Sequence, residues 1–105
     1  MKRNKKLTVS QRRALDRQRR YHVKYGISIE QYEKALDQQK GVCKICGRPP
    51  KRLRLAVDHD HKTGRVRGLL CMRCNRRLLG RGLEIAWLHR KAAEYLESTY
   101  DMRNT

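Results

Sequence analysis

The sequence predicts a small α+β domain that is stabilised by zinc and flanked by helices on its N- and C-terminal sides. Three patterns predict it: four cysteines in two C-x-x-C pairs, a strand–turn–strand stretch between the pairs, and helical patterns before and after them. Leu, Ile, Val and Phe together make up only 21 of the 105 residues. The hydrophobic core is therefore thin, and the fold needs another source of stability.

The four cysteines supply that stability. Cys43 and Cys46 form one pair and Cys71 and Cys74 the other, at a spacing that fits a tetrahedral all-cysteine zinc site. Bound zinc contributes on the order of 10 kcal/mol to folding. Two disulfides in a secreted domain are the alternative. The basic N-terminus does not resemble a signal peptide. No apolar stretch reaches the length of about 18 residues that is needed to span a bilayer. We therefore expect a cytoplasmic, reducing environment, which favours zinc.

The strongly positive net charge indicates which class of molecule the protein binds. The net charge is +17, and residues 1–25 hold ten Lys or Arg against one acid, Asp16. We divide the chain into a basic N-terminal arm, 1–25, and a zinc-bound domain, 26–105. This excess favours nucleic acid, because each neutralised phosphate releases counterions. An anionic membrane surface is the weaker alternative, since the arm lacks a broad apolar face.

Two helices are predicted before the first cysteine pair. The arm is expected to be helical from about Ser10 to Gly26, with a ragged apolar stripe that frays without DNA. The second helix begins at Ser28, where Gln31 three residues on completes a capping box. Gly41 is the expected C-terminal cap.

A hairpin is predicted between the cysteine pairs. "LRLAVDHD" has the pattern of a strand, "HKTG" that of a turn, and "RVRGLLC" that of a returning strand. "CNRRLLG" should start a short helix at Cys74. The hairpin would bring all four sulfurs together.

The C-terminal helix is predicted over about 83–99. Its apolar stripe consists of Ile85, Leu88, Ala92 and Leu96. Trp87 and Tyr95 are expected to pack against the terminal helices, with stacking on unpaired bases as the alternative.

The stretch "LAVDHDH", residues 55–61, contains the candidate chemistry. A regular strand would point Asp58 and Asp60 to one face and His59 and His61 to the other. A solvated strand end, or a histidine that replaces a cysteine on zinc, would also explain the pattern. Asn75 directly follows the last cysteine, where its amide oxygen could join Asp58 on a hard cation such as Mg²⁺. Capping of the helix is the alternative role of this asparagine.

Taken together, "LAVDHDH", "GRVRGLLC", "CMRCN" and "GVCKICG" resemble the phage recombination endonuclease VII family, a branch of the His-Me finger (HNH, ββα-metal) nucleases. The resemblance extends over about residues 25–79. It implies structural zinc at the four cysteines and a catalytic Mg²⁺ or Mn²⁺ held by Asp58 and Asn75. It also implies that His59 is the general base and that His61 is a second active-site histidine. Where some relatives carry an acid one turn beyond the asparagine, this chain has Leu78.

These roles suit phosphodiester hydrolysis. An imidazole can activate water at neutral pH, and a cation can stabilise the phosphate and the leaving oxygen. Because Asp58 and His59 are adjacent, we expect the strand to lose its regularity at residues 58 to 60. Five arginines flank the site and are expected to hold phosphates, with a generic solvated basic face as the alternative: Arg65, Arg67, Arg73, Arg76 and Arg77.

The predicted function is therefore that of a DNA endonuclease, which acts on duplex, nicked or branched DNA in the cytoplasm of a host cell if the chain is phage-encoded. Junction resolution would require two active sites in one assembly, which leaves a homodimer open. A site-specific nickase is a variant of this hypothesis. The rival from another class is a zinc-ribbon protein that binds DNA without catalysis.

Overall fold

The computed structural model describes residues 6–81 and 84–104, which form helices packed around a two-stranded sheet. Two helices come first, α1 (Val9–Tyr25) and α2 (Ile29–Gln38), followed by the strands β1 (Ala56–His59) and β2 (Val66–Leu70). A π-helical segment (Arg73–Leu78) continues into one α-helical turn, α3 (Leu79–Arg81). Helix α4 (Ala86–Glu97) and a 3₁₀ turn (Met102–Asn104) complete the described part.

Helix α1 confirms the helix predicted for the arm and begins at Val9. Thr8 caps it, because its hydroxyl accepts from the backbone N–H of Gln11 while the Gln11 side chain accepts from the N–H of Thr8. Gly26 ends the helix in the left-handed region, with φ of 69°. Tyr21 is its buried residue, so α1 is attached to the core mainly by its last turns. Fraying without DNA remains a prediction.

Helix α2 confirms the predicted capping box of Ser28 and Gln31. It ends at Gln38, earlier than the predicted stop, and Gly41 (φ 74°) then reverses the chain toward the first cysteine pair. Tyr32 points from α2 into the core, where its hydroxyl donates to the Leu55 carbonyl at 2.7 Å.

The predicted hairpin is present, although both strands are shorter than expected. The strands are antiparallel, Asp58 lies opposite Gly68, and His59 lies opposite Val66. The register therefore shifts between Asp58 and His59, within the predicted stretch, and the extra residue is Arg67 on β2. In the turn, the Asp60 carboxylate accepts from the backbone N–H groups that follow it, as in an Asx turn.

Helix α4 lies within the predicted range, and residues 82 and 83 lie outside the described part. Leu88 and Ala92 are buried as predicted, but Leu96 is 40% exposed and Tyr95 is buried in its place. The expectation that Trp87 is packed is wrong, since its side chain is 45% exposed. The buried face of α4 is rotated toward Tyr95 because the Tyr95 hydroxyl bonds to the hairpin.

The C-terminal segment is fastened to the turn end of the hairpin. The Arg65 guanidinium donates to the backbone carbonyls of Leu96, Ser98 and Tyr100, the last carbonyls around the end of α4. The Asp101 carboxylate accepts from the backbone N–H of Val66 at 3.2 Å. Met102 is fully buried in the core.

Candidate functional site

The four cysteines lie together as predicted. Their sulfurs are all within 4.8 Å of one another, and none is in a disulfide. Cys46 Sγ and Cys71 Sγ, which belong to different pairs, are 3.8 Å apart. Two sulfurs at tetrahedral positions on zinc, each about 2.3 Å from the metal, are separated by about 3.8 Å. The cluster therefore fits a structural zinc ion that joins the loop after α2 to the end of β2.

A guanidinium lies against this cluster. Burial would raise the pKa of the Cys46 thiol, but hydrogen bonds from the Arg48 backbone and from the other cysteines lower it to about 7. Arg73 interacts with the Cys46 sulfur, which raises the pKa of Arg73 against the opposing effect of burial. Its Nη2 is buried without a hydrogen-bond partner in the described ranges. Arg73 is therefore placed to offset the negative charge of thiolates.

Asp58 is a buried carboxylate at the end of β1, with only 8% exposure. Arg67 Nε donates to its Oδ2 at 2.8 Å and Arg67 Nη2 to its Oδ1 at 3.2 Å. The Tyr95 hydroxyl on α4 donates to Oδ2 at 2.7 Å. Arg67 is the extra residue of the register shift, so the irregular strand brings its guanidinium to Asp58. The carboxylate is thereby fixed by one side chain from β2 and one from α4.

His59 faces a different helix from Asp58. Its ring lies 5.2 Å from that of Tyr25 on α1 and 4.6 Å from that of His61, measured between centroids. Burial and the charge of His61 lower the pKa of His59, with further contributions from Arg67 and Lys24, and outweigh the opposing effect of Asp58. The imidazole is therefore neutral at neutral pH, the form that can accept a proton.

Asn75 lies in the π-helical segment, where its backbone N–H donates to the Cys71 carbonyl at 2.9 Å. Its side chain is partly exposed. Both Asn75 and Asp58 are described, and no hydrogen bond joins them. Leu78, one turn on, is a core residue with 3% exposure. Asn75 as a ligand for a shared cation stays a prediction.

The five predicted phosphate-binding arginines fall into two groups. The guanidinium groups of Arg65, Arg67 and Arg73 contact the carbonyls after α4, Asp58 and the cysteine cluster, respectively. Arg76 and Arg77 are exposed. Only these last two are placed to meet a phosphate without losing a described contact, and their role stays a prediction.

Sequence reasoning missed two residues of the site, Tyr25 and Tyr95. Tyr95 was expected to pack, with base stacking as the alternative, yet its hydroxyl donates to the Asp58 carboxylate. A general rule could have predicted this bond: a buried tyrosine hydroxyl needs a hydrogen-bond partner, and the carboxylate is the strongest acceptor nearby. No comparable signal indicates that Tyr25 meets His59.

No helix in the ranges 6–81 and 84–104 combines the length and the apolar character needed to cross a bilayer. The fold and the site together define a small, strongly basic protein with a four-cysteine metal site and a histidine-bearing hairpin. The family model for recombination endonuclease VII matches residues 18–98. The chain therefore belongs to the recombination endonuclease VII family, as the sequence motifs indicated.

Two curated relatives are each called Gene 59 protein, one from Mycobacterium phage D29 and one from Mycobacterium phage L5. They are 49% and 48% identical to this chain over 73 residues, which make up 69% of the chain. The match covers 44% of either relative, so the chain spans less than half of their length. No solved structure matches the chain.

Proposed function

We propose that the chain is a metal-dependent DNA endonuclease of the His-Me finger type. One observation carries the proposal: His59, an imidazole with a lowered pKa, directly follows a buried and firmly oriented carboxylate on a hairpin whose other end is joined to the cysteine cluster. Membership of the recombination endonuclease VII family supports this activity. A net charge of +17 supports DNA as the substrate.

The residues fit a hard divalent cation by their chemistry. Carboxylate and amide oxygens are the ligands that Mg²⁺ or Mn²⁺ takes, and we assign Asp58 and Asn75 to it. Among the described residues, Asp58 Oδ1 accepts only the longer bond from Arg67, at 3.2 Å, and each carboxylate oxygen can accept about two hydrogen bonds. The bound cation would stabilise charge on the phosphate and on the leaving oxygen.

The two histidines have different roles. Neutral His59 accepts a proton from the attacking water, whose oxygen bonds to phosphorus while the bond from phosphorus to the 3′ oxygen breaks. Solvent water protonates the leaving oxygen, so the products carry a 5′-phosphate and a 3′-hydroxyl. His61, whose ring lies 4.6 Å from that of His59, orients the phosphate. Arg76 and Arg77, exposed on the segment that holds Asn75, hold phosphates on either side of the cut.

The substrate in this proposal is duplex, nicked or branched DNA in the cytoplasm of a phage-infected cell. Resolution of a four-way junction needs two cuts, so it would require two copies of the chain in one assembly. Incubation with a synthetic junction and with plain duplex, followed by product mapping and by mass measurement in solution, decides between junction resolution and simple nicking.

The test of catalysis is plasmid nicking with Mg²⁺ by the zinc-loaded chain and by its His59→Ala variant. Loss of a general base typically lowers the rate by about 10²–10⁴-fold. His22→Ala is the matched control, because His22 is an exposed histidine on α1 that has no assigned role in the candidate site. Equal nicking by wild type and His59→Ala would refute the mechanism.

A second candidate is a zinc-ribbon protein that binds DNA without cutting it. The Arg67 and Tyr95 contacts favour it, because they also describe Asp58 as half of a structural ion pair. Asn75→Ala separates the two functions. The endonuclease loses Mg²⁺-dependent cleavage in this variant and keeps DNA binding, whereas the binding protein shows no cleavage with any metal before or after the change.

A further inference from the structure

An open groove lies between α1 and the chain that leads into β1, and none of the four cysteines lines it. Its volume is about 650 Å³, and α1 forms one wall while residues 52–57 form the other. Arg13, Arg17 and Arg20 line the α1 wall at a spacing that places them on one face of the helix. At about 1.5 Å per residue this row is roughly 10 Å long, the axial rise of about three nucleotides of one strand.

The opposite wall is also basic. Arg52 and Arg54 line it, so five guanidinium groups border the groove and none of its lining residues is acidic. Arg54 is partly compensated by Glu33 at 3.8 Å and lies over the Tyr32 ring. The three arginines of the α1 wall form no ion pair within the described ranges. The groove therefore carries a net positive charge that a polyanion would neutralise.

The floor of the groove is apolar and aromatic. Tyr25 on α1 is partly exposed, and Leu53, with 60% exposure, lines the groove as well, whereas Tyr21 is buried and stacked on Tyr32. A duplex presents phosphates to such a groove but keeps its bases stacked inside the helix. An unpaired strand offers bases as well, and base stacking on aromatic side chains is worth about 1–3 kcal/mol per base. The pairing of basic walls with this floor therefore favours one unpaired strand over a duplex.

The groove also leads to the candidate active site. Tyr25 lines the groove, and its ring lies edge-on to that of His59, with 5.2 Å between centroids. A strand lying along α1 would therefore continue past His59.

We propose that this α1 groove binds an unpaired DNA strand next to the cleavage site. The groove thus gives the basic arm a role, and selects DNA in which a strand is exposed, such as a branch or a flap. The inference deepens the proposed endonuclease function and rests on it for the meaning of the site, but the binding itself can be measured without cleavage.

The test measures binding by the full 105-residue chain in its zinc-loaded His59→Ala form, without added divalent cation. The probes are a fluorescein-labelled dT₁₂ oligonucleotide and a 12-base-pair duplex. Binding to each probe is measured by fluorescence anisotropy at several salt concentrations. The groove variant is Arg17→Gln with Arg20→Gln. The control is Arg12→Gln with Arg19→Gln, which removes the same charge from the same helix at positions that do not line the groove. Glutamine is a good helix former, and circular dichroism checks that both variants keep their helices.

The groove variant is expected to bind dT₁₂ about tenfold more weakly, with a salt slope reduced by about 1.4 for two lost phosphate contacts. The control is expected to change either quantity by less than half as much. Equal losses in the two variants would show only a general charge effect and overturn the proposal. A loss for the duplex as large as that for dT₁₂ would overturn the preference for an unpaired strand.

The experiments distinguish a failure of the groove proposal from a failure of the endonuclease proposal. If the groove variant binds dT₁₂ normally while the wild-type chain, with His59 intact, nicks plasmid with Mg²⁺, the groove proposal fails and the endonuclease stands. If the groove variant shows the expected loss while the wild-type chain never cleaves DNA, the groove stands and the endonuclease fails.

Discussion

Tyr95→Phe removes the hydroxyl that links α4 to the hairpin and keeps the ring in place. The hydroxyl is 2.7 Å from Asp58 Oδ2, and both residues are buried. A hydrogen bond to a charged group contributes about 1.5–3 kcal/mol to stability. We therefore expect the free energy of unfolding to fall by about 2 kcal/mol, and the melting temperature to fall by about 10 °C for a domain of this size.

Two further Tyr→Phe variants make this measurement specific. The Tyr32 hydroxyl is equally short, at 2.7 Å, but its acceptor is the neutral Leu55 carbonyl, so Tyr32→Phe should cost about 1 kcal/mol. The Tyr25 hydroxyl has no hydrogen-bond partner within residues 6–81 and 84–104, so Tyr25→Phe should change stability by less than about 0.5 kcal/mol.

The assay is urea unfolding at pH 7 with zinc present, followed by circular dichroism. The expected order of destabilisation is Tyr95→Phe, then Tyr32→Phe, then Tyr25→Phe. A Tyr95→Phe variant as stable as Tyr25→Phe would refute the idea that this hydroxyl holds Asp58. It would also remove the reason for treating α4 as a support of the candidate site.

Three other changes test the zinc cluster, the C-terminal fastening and the hairpin. Cys71→Ser should lower zinc content well below one ion per chain and abolish cooperative unfolding, measured by metal analysis and thermal melting; an intact, zinc-free fold would contradict the structural role of the metal. Hydrogen bonds from Arg103 and from the Val66 N–H lower the pKa of Asp101 to about 2, against the opposing effect of burial. The stability from this carboxylate, about 2 kcal/mol, should therefore be present above about pH 4, so Asp101→Asn should be less stable than wild type by about this amount in urea unfolding at pH 7. Gly68→Ala would place a Cβ 2.7 Å from the Lys44 side chain and 3.2 Å from that of Tyr95, and should lower the free energy of unfolding in urea by about 1–3 kcal/mol. Gly80→Ala is the control: its Cβ would lie 3.7 Å from the nearest neighbour, so this change should not destabilise the protein.

Features that depend on neighbours in the chain were predictable from the sequence. The capping box of Ser28 and Gln31 is a local pattern, and it is present. The two cysteine pairs are local too, and the intervening hairpin brings them together. Irregularity at residues 58 to 60 was expected because a regular strand sends the adjacent side chains of Asp58 and His59 to opposite faces, and the register does shift between these two residues, with the extra residue on β2.

Features set by distant contacts were not predictable. The stripe of α4 was expected to include Leu96, but the bond to Asp58 turns Tyr95 inward in its place. The sequence marks Arg65 and Arg67 only as cations near the site. Whether a guanidinium contacts phosphate, a carboxylate or backbone carbonyls depends on which elements pack beside it. Here Arg65 contacts the carbonyls around the end of α4, and Arg67 contacts Asp58 on β1.

The burial of Met102 has a practical meaning for the design of fusion proteins. Because this side chain is fully enclosed and the Asp101 carboxylate accepts from the Val66 N–H on β2, the chain is part of the folded body through Met102. A reporter inserted directly after Asn104 would therefore begin close to the hairpin turn. A short flexible spacer in front of the reporter would separate it from that turn and leave the packing intact.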